Sequence, residues 1–162
     1  MADKARSKAS LREFQQRLAE RLSKSQSATV ASFLAVEVAD LKLLLPLSEA
    51  GEISPPPVIQ PLPRSAKWFM GVTTLRGRVV GIADLAVFLG RANNAVTTGT
   101  FLALGESLEV NCLVRVDRLL GLRNAEQFVA DADGTMRDLQ GLAWQTLSLA
   151  GLAADEQFLK IY

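Results

Sequence analysis

From Val30 to Leu147 the apolar residues come in short runs, and a turn signal closes each run before it reaches helical length. Leu34, Val36 and Val38 alternate with Phe33, Ala35 and Glu37, the period of a strand with one face turned inward. Ala39-Asp40 can turn the chain. Leu41, Leu43, Leu45 and Leu47 then line one face of a second strand and Leu44 the other, so its middle is expected to be buried on both sides. Pro46 lacks a ladder donor and belongs at an edge or a strand end. Trp68 to Leu75 and Arg78 to Ala83 read as strands around an Arg76-Gly77 turn. Phe101 to Leu104 and Leu108 to Val116 read as a hairpin around Gly105-Glu106, with Leu119 to Leu122 continuing its sheet. Trp144 to Leu147 is one more short strand. So many short strands with turns between them predict an all-β barrel class with helical additions.

The helical additions are local. Leu11, Phe14, Leu18 and Leu22 share one helical face, Arg12, Arg17, Glu20 and Arg21 take the others, and Ser10 with Glu13 forms a capping box. This N-terminal amphipathic helix can pack on its own domain or dock on a partner. The linker 23–29, SKSQSAT, has no apolar anchor, which divides the chain into 1–29 (tail, helix and linker) and a domain at 30–162. Asp84 can cap a short helix, DLAVFL, that Gly90 ends, and Ser148 can cap a last helix through Leu149 and Leu152. Phe158, Leu159 and Ile161 should finish against something apolar. Ser54 to Pro63 carries five of the six prolines and predicts an extended, ordered loop. Residues 91–99 and 131–141 read as polar loops.

Composition narrows the function. The chain has no histidine, which removes imidazole ligation, the usual neutral-pH base and any phospho-accepting histidine. Its one cysteine, Cys112, can form neither an internal disulfide nor a thiolate zinc site, and in its apolar run it reads as a core residue. A net charge of +1 provides no field for nucleic acid. No apolar run is long enough to span a bilayer, and the polar, basic start lacks a signal-peptide segment, so a cytoplasmic location is expected. No catalytic, cofactor-binding or metal-binding residue is assigned. The carboxylate pairs Asp131 and Asp133, and Asp155 and Glu156, lie in polar stretches and read as solvated. They are the residues on which a small-molecule-binding barrel or a carboxylate hydrolase would have to rest.

One segment is more specific. Gly71 to Gly90 reads GVTTLRGRVVGIADLAVFLG: a glycine, a strand, a Leu-Arg-Gly turn, a second strand, then Asp-Leu opening a short helix. This resembles the signature of CheW-like domains. Phe33 to Val38 and Leu41 to Leu47 look like that family's opening hairpin, and Glu49 to Ile53 like its third strand. Three features are similar to the PilI-type adaptors of type IV pilus systems: the helix SLREFQQRLAERL, Gly81 before the Asp-Leu, and the ending WQTLSLAGLAADEQF. Thr74 and Ser148 depart from the family's usual asparagine and aspartate.

The resemblance implies two SH3-like five-stranded β-barrels sharing a core. It implies a non-enzymatic adaptor, without cofactor, that joins a CheA-type histidine kinase to the signalling tip of a methyl-accepting chemotaxis receptor and so controls twitching motility. Location would be at the inner membrane through receptor arrays, without direct membrane insertion. Ala50, Glu52 and Ile53 fall on the implied kinase-facing edge; Gly71, Leu75, Arg76 and Gly77 fall at the implied receptor-facing groove. A kinase-binding array spacer or decoy would keep the fold and lose the receptor coupling.

Overall fold

The computed structural model describes residues 11–20 and 32–162. Residues 11–20 form helix α1, with Leu11, Phe14 and Leu18 exposed. Ser10, Leu22 and the linker 23–29 lie outside the described residues. Helix α1 falls in one compact unit; the eleven strands among the described residues fall in a second, Ala31–Tyr162.

The second unit is mostly β, as the sequence predicts, and has two sheets. Lobe 2 is one contiguous stretch: β3 (Ala50–Ser54), β4 (Phe69–Leu75), β5 (Arg78–Asp84), β6 (Thr100–Leu104) and β7 (Cys112–Val116), in the order β3-β6-β7-β5-β4. Lobe 1 is built from the chain on either side of it: β1 (Phe33–Val38), β2 (Leu41–Pro46), β8 (Arg118–Arg123), β9 (Phe128–Ala130), β10 (Met136–Asp138) and β11 (Ala143–Thr146), in the order β8-β1-β2-β11-β10-β9. The returning strand β11 runs parallel to β2. Short helices α2 (Leu85–Phe88), α3 (Leu149–Ala154) and α4 (Glu156–Leu159) complete the unit.

The alternation explains how the lobes join. In β1 and β2, Leu34, Val36, Val38, Leu43 and Leu45 enter the largest apolar cluster, which also takes Leu102, Leu104, Val114 and Val116 from lobe 2. The opposite faces put Ala35 and Leu44 into a smaller cluster with Phe128 and Trp144, lobe 1's own core. Leu44 is therefore fully buried in the middle of β2, the two-sided burial expected of it. Lobe 2's own core is Val80, Ile82, Phe101 and Leu113.

The caps fall as expected. The Asp84 carboxylate accepts the N–H groups of Ala86 and Val87 at the start of α2, and the Ser148 hydroxyl accepts that of Gly151 in α3. Phe158 of α4 is buried and stacks on Trp68 at 5.3 Å, with Phe88 edge-on to both, whereas Leu159, expected beside it against something apolar, is half exposed.

Three strand expectations fail. The hairpin's second strand begins at Cys112 and not at Leu108, because Glu106–Leu108 form a 3-10 turn closed by the left-handed Glu109. Leu119 to Leu122 does not continue the hairpin sheet: after Asp117 the chain crosses to lobe 1, where β8 pairs with β1, Phe33 opposite Arg123. The crossing is held by Asp117 N–H donating to the Glu37 carbonyl, a pairing partner far back in the chain that no local pattern can reveal. Residues 131–141 are not all loop, because β10 lies between β9 and β11 and gives lobe 1 six strands instead of the expected five. Three residues are too few to display an alternation, and this strand is held by polar turns: Asp133 accepts the Thr135 N–H, and Asp138 accepts those of Gln140 and Leu142.

Candidate partner-binding site

Leu75 pairs with Arg78, leaving Arg76-Gly77 as a two-residue turn. Both residues are left-handed, with φ of 49° and 77°, the pattern of a type I′ hairpin turn. Glycine takes that conformation freely; an arginine gives up about 1–2 kcal/mol to do so. The Arg76 side chain is 80% exposed and pairs with Glu52 of β3. So exposed a pair contributes at most about 1 kcal/mol. What it fixes is position, because it ties the hairpin tip to an edge strand. β3 is terminal in its sheet and pairs only with β6, with a register break between Ala50 and Ile53. Between that edge and the hairpin lies a groove of about 690 Å³, with Glu52, Arg76 and Arg78 on its rim and Val80, Leu104 and Cys112 among its lining. Burial pushes the Cys112 thiol up to about 12, so this cysteine is an apolar wall and not a nucleophile.

The structure brings Glu52 of the implied kinase edge into contact with Arg76 of the implied receptor groove. Ala50 and Ile53 flank Glu52 on β3, and Ile53 is half exposed. Leu75 and Gly77 adjoin Arg76. Gly71 lies apart. It is buried under the Pro-rich segment, whose Gln60 backbone bonds to Val72, and a Cβ there would stand 2.2 Å from the Gln60 carbonyl oxygen. Its φ of 132° suits only glycine. Gly71 thus seats the proline loop and does not line the groove.

Sequence reading missed a buried charge network. Arg115 of β7 is 3% exposed; its Nη1 donates to both Asp84 oxygens at 3.3 and 3.2 Å, its Nε to the Thr98 carbonyl and its Nη2 to Asp117. The available signal was a single arginine within the apolar run Val110 to Val116. Burial works to raise the Asp117 carboxyl, but the Ala39 N–H, the Arg115 bond and the Arg115 charge together hold it below the ordinary carboxylate range. Three of the four carboxylates that a hydrolase would need have structural partners: Asp131 pairs with Arg137, Asp133 closes a turn, and Asp155 caps α4; the fourth, Glu156, is exposed.

This double-lobed arrangement presents a Leu-Arg-Gly hairpin at the rim of a groove. The CheW-like domain model matches residues 32–152, and the chain belongs to the CheW-like domain family, whose members are scaffold adaptors of chemosensory signalling and not enzymes. The chain is similar to Protein FrzA of Myxococcus xanthus, 32% identical over 99 residues, which are 61% of this chain and 62% of that protein. It is also similar to Protein PilI of Pseudomonas aeruginosa, 32% identical over 79 residues, 49% of this chain and 44% of that one. The matched stretches thus span less than two thirds of either relative. The fold is similar to that in the crystal structure of the scaffolding protein TtCheW from Thermoanaerobacter tengcongensis, with a TM-score of 0.59 and 12% identity over 74% of this chain and 91% of that one. Among the described residues no helix is long and apolar enough to cross a membrane.

Proposed function

We propose that this chain couples a methyl-accepting receptor to a CheA-type histidine kinase, in a system that controls type IV pilus twitching motility, and that it works at the inner membrane within receptor arrays. The observation that carries this reading is the groove with the Arg76–Glu52 contact across it. The β3 edge offers unpaired backbone and the half-exposed Ile53 to a second barrel of the kinase's regulatory domain, with Ala50 and Glu52 beside it. Leu75, Arg76 and Gly77 offer a rigid tip to the receptor's helical hairpin, and Gly71 keeps the neighbouring proline loop seated. A partner that bonds to either member of the ion pair changes the other's surroundings. Occupancy of one surface therefore biases the second, and activation is a population shift in the bound kinase. The similarity to PilI supports the pilus assignment.

Calorimetry tests the reading. The full chain should bind the cognate kinase's regulatory domain without nucleotide or metal. It should also bind a soluble receptor signalling tip. Absence of binding to the kinase, or binding only with magnesium-nucleotide, would count against the adaptor role.

A further inference from the structure

We infer that Arg115 is a positioning residue that latches lobe 1 to lobe 2 and anchors the base of the hairpin whose tip carries Arg76. One buried guanidinium reaches four segments. Through Asp84 it holds the start of α2, where the same carboxylate also accepts the Val96 N–H at 3.2 Å. Through the Thr98 carbonyl it holds the loop before β6. Through Asp117 it holds the crossover from β7 to β8. The other Asp117 oxygen accepts the N–H of Ala39, in the left-handed turn between β1 and β2. The first three segments belong to lobe 2 and its exit; the last belongs to lobe 1.

The surroundings fit such a role. Gly99 has a φ of 126°, and a Cβ there would lie 3.1 Å from Arg115 Nε and 2.4 Å from the Val116 carbonyl oxygen, so the loop is shaped around the guanidinium. A buried ion pair is a poor source of stability: apolar residues in place of both partners are often as stable or more so, whereas removing one partner alone leaves an uncompensated buried charge. What the guanidinium adds is direction. The shared apolar core attracts the lobes without fixing their orientation, while a planar donor set with three oxygen-bearing partners accepts only one geometry. Asp84 is the last residue of β5, and Arg76-Gly77 immediately precedes its first. The strand that starts at the groove therefore ends at the latch. That anchoring role rests on the coupling function proposed above; the latch itself does not.

Amide hydrogen exchange on the full chain separates the two. Arg115→Met leaves Asp84 buried without its partner, so amides that open only by global unfolding, such as that of Leu113, should speed up with the lost stability. The amides of Ala39 and Val96 should exchange at least about tenfold faster beyond that common change, while those of Val36 and Leu44 follow Leu113 within about twofold. Asp117→Ala, which removes both acceptor oxygens, should release Ala39 alone. Exchange at Ala39 that only follows Leu113 in both variants would overturn the latch. If Arg115→Met does not fold, Asp117→Ala decides at the same amide. In a reconstituted receptor–kinase assembly, Arg115→Met should keep its kinase affinity within about twofold and lose at least about fivefold in receptor-dependent activation. Full activation by this variant would overturn the anchoring role. If the native chain itself gives no receptor-dependent activation, the coupling function and the anchoring role fail together, and the exchange data still decide the latch.

Discussion

Lobe 2 is one unbroken stretch of chain, and its elements from Phe69 to Val116 carry their own local signals. Lobe 1 is assembled from two stretches separated by the whole of lobe 2, and half of its strands carry almost none. In lobe 2 the turn, the cap and the alternating apolar faces lie next to one another between Phe69 and Val116. In lobe 1, β2 pairs with β11 across a hundred residues, and β9 and β10 have three residues each. The difference shows where the two lobes get their order: lobe 2 from strong local preferences, lobe 1 from a few long-range contacts centred on Trp144.

The largest effect is expected at Trp144, which is 5% exposed in a small core with buried Ala35, Leu44 and Phe128 and with Phe33, Leu120 and Met136 packed against them. Trp144→Ala should cost about 3–5 kcal/mol and raise amide exchange in β9, β10 and β11 before β5 and β7. Equal loss of protection in both lobes would mean that lobe 1 has no separate cooperativity. Next comes Gly71→Ala in lobe 2. The added Cβ collides with the Gln60 backbone in a conformation reserved for glycine, at a cost of about 1–3 kcal/mol read in a denaturant midpoint. An unchanged midpoint would show that the proline loop is not seated there.

A smaller effect concerns acid. The Trp144 indole N–H, at 3.0 Å, and the Leu142 and Gln140 amides hold the Asp138 carboxyl below the ordinary carboxylate range, against a lesser opposing desolvation. Its folded value lies below its unfolded one. The contribution to stability is therefore complete above about pH 4 and is lost as pH falls through the folded value. In a Trp68→Phe background, Trp144 fluorescence should shift in that acid window. With Asp138→Asn the shift in that window should vanish; its persistence would place the titration elsewhere. The smallest effect is expected from removing residues 1–29, since the linker reads as separable: the cooperative transition of the remaining domain should survive. Its disappearance would make the N-terminal segment part of the core.

What could be read from the sequence follows the same division. Asp84 as a cap, Arg76-Gly77 as a turn and Leu44 on the second face of β2 all have their cause within a few residues, so spacing alone reveals them. β8 crossing to β1 and the Arg115 network depend on partners far away in the chain, and no short window of sequence contains both halves; β10 pairs with near neighbours but is too short to display an alternation. At the groove, Glu52 and Arg76 could each be named from the resemblance, but their contact could not. The constraint that demands glycine at Gly71 comes from Gln60, across the proline loop, and no local pattern displays it.

The central claim is that Arg76 stands in its turn for coupling and not for stability, and Arg76→Gly tests it most directly. Glycine removes the left-handed cost of about 1–2 kcal/mol and gives up an exposed ion pair that contributes at most about 1 kcal/mol, so the thermal midpoint should hold or rise. Receptor-dependent activation of the kinase should nevertheless fall by about thirtyfold, the loss of about 2 kcal/mol at a central contact. A variant that is at least as stable and no longer couples is the predicted result. A variant with normal activation, or one whose midpoint falls together with activation, would contradict it.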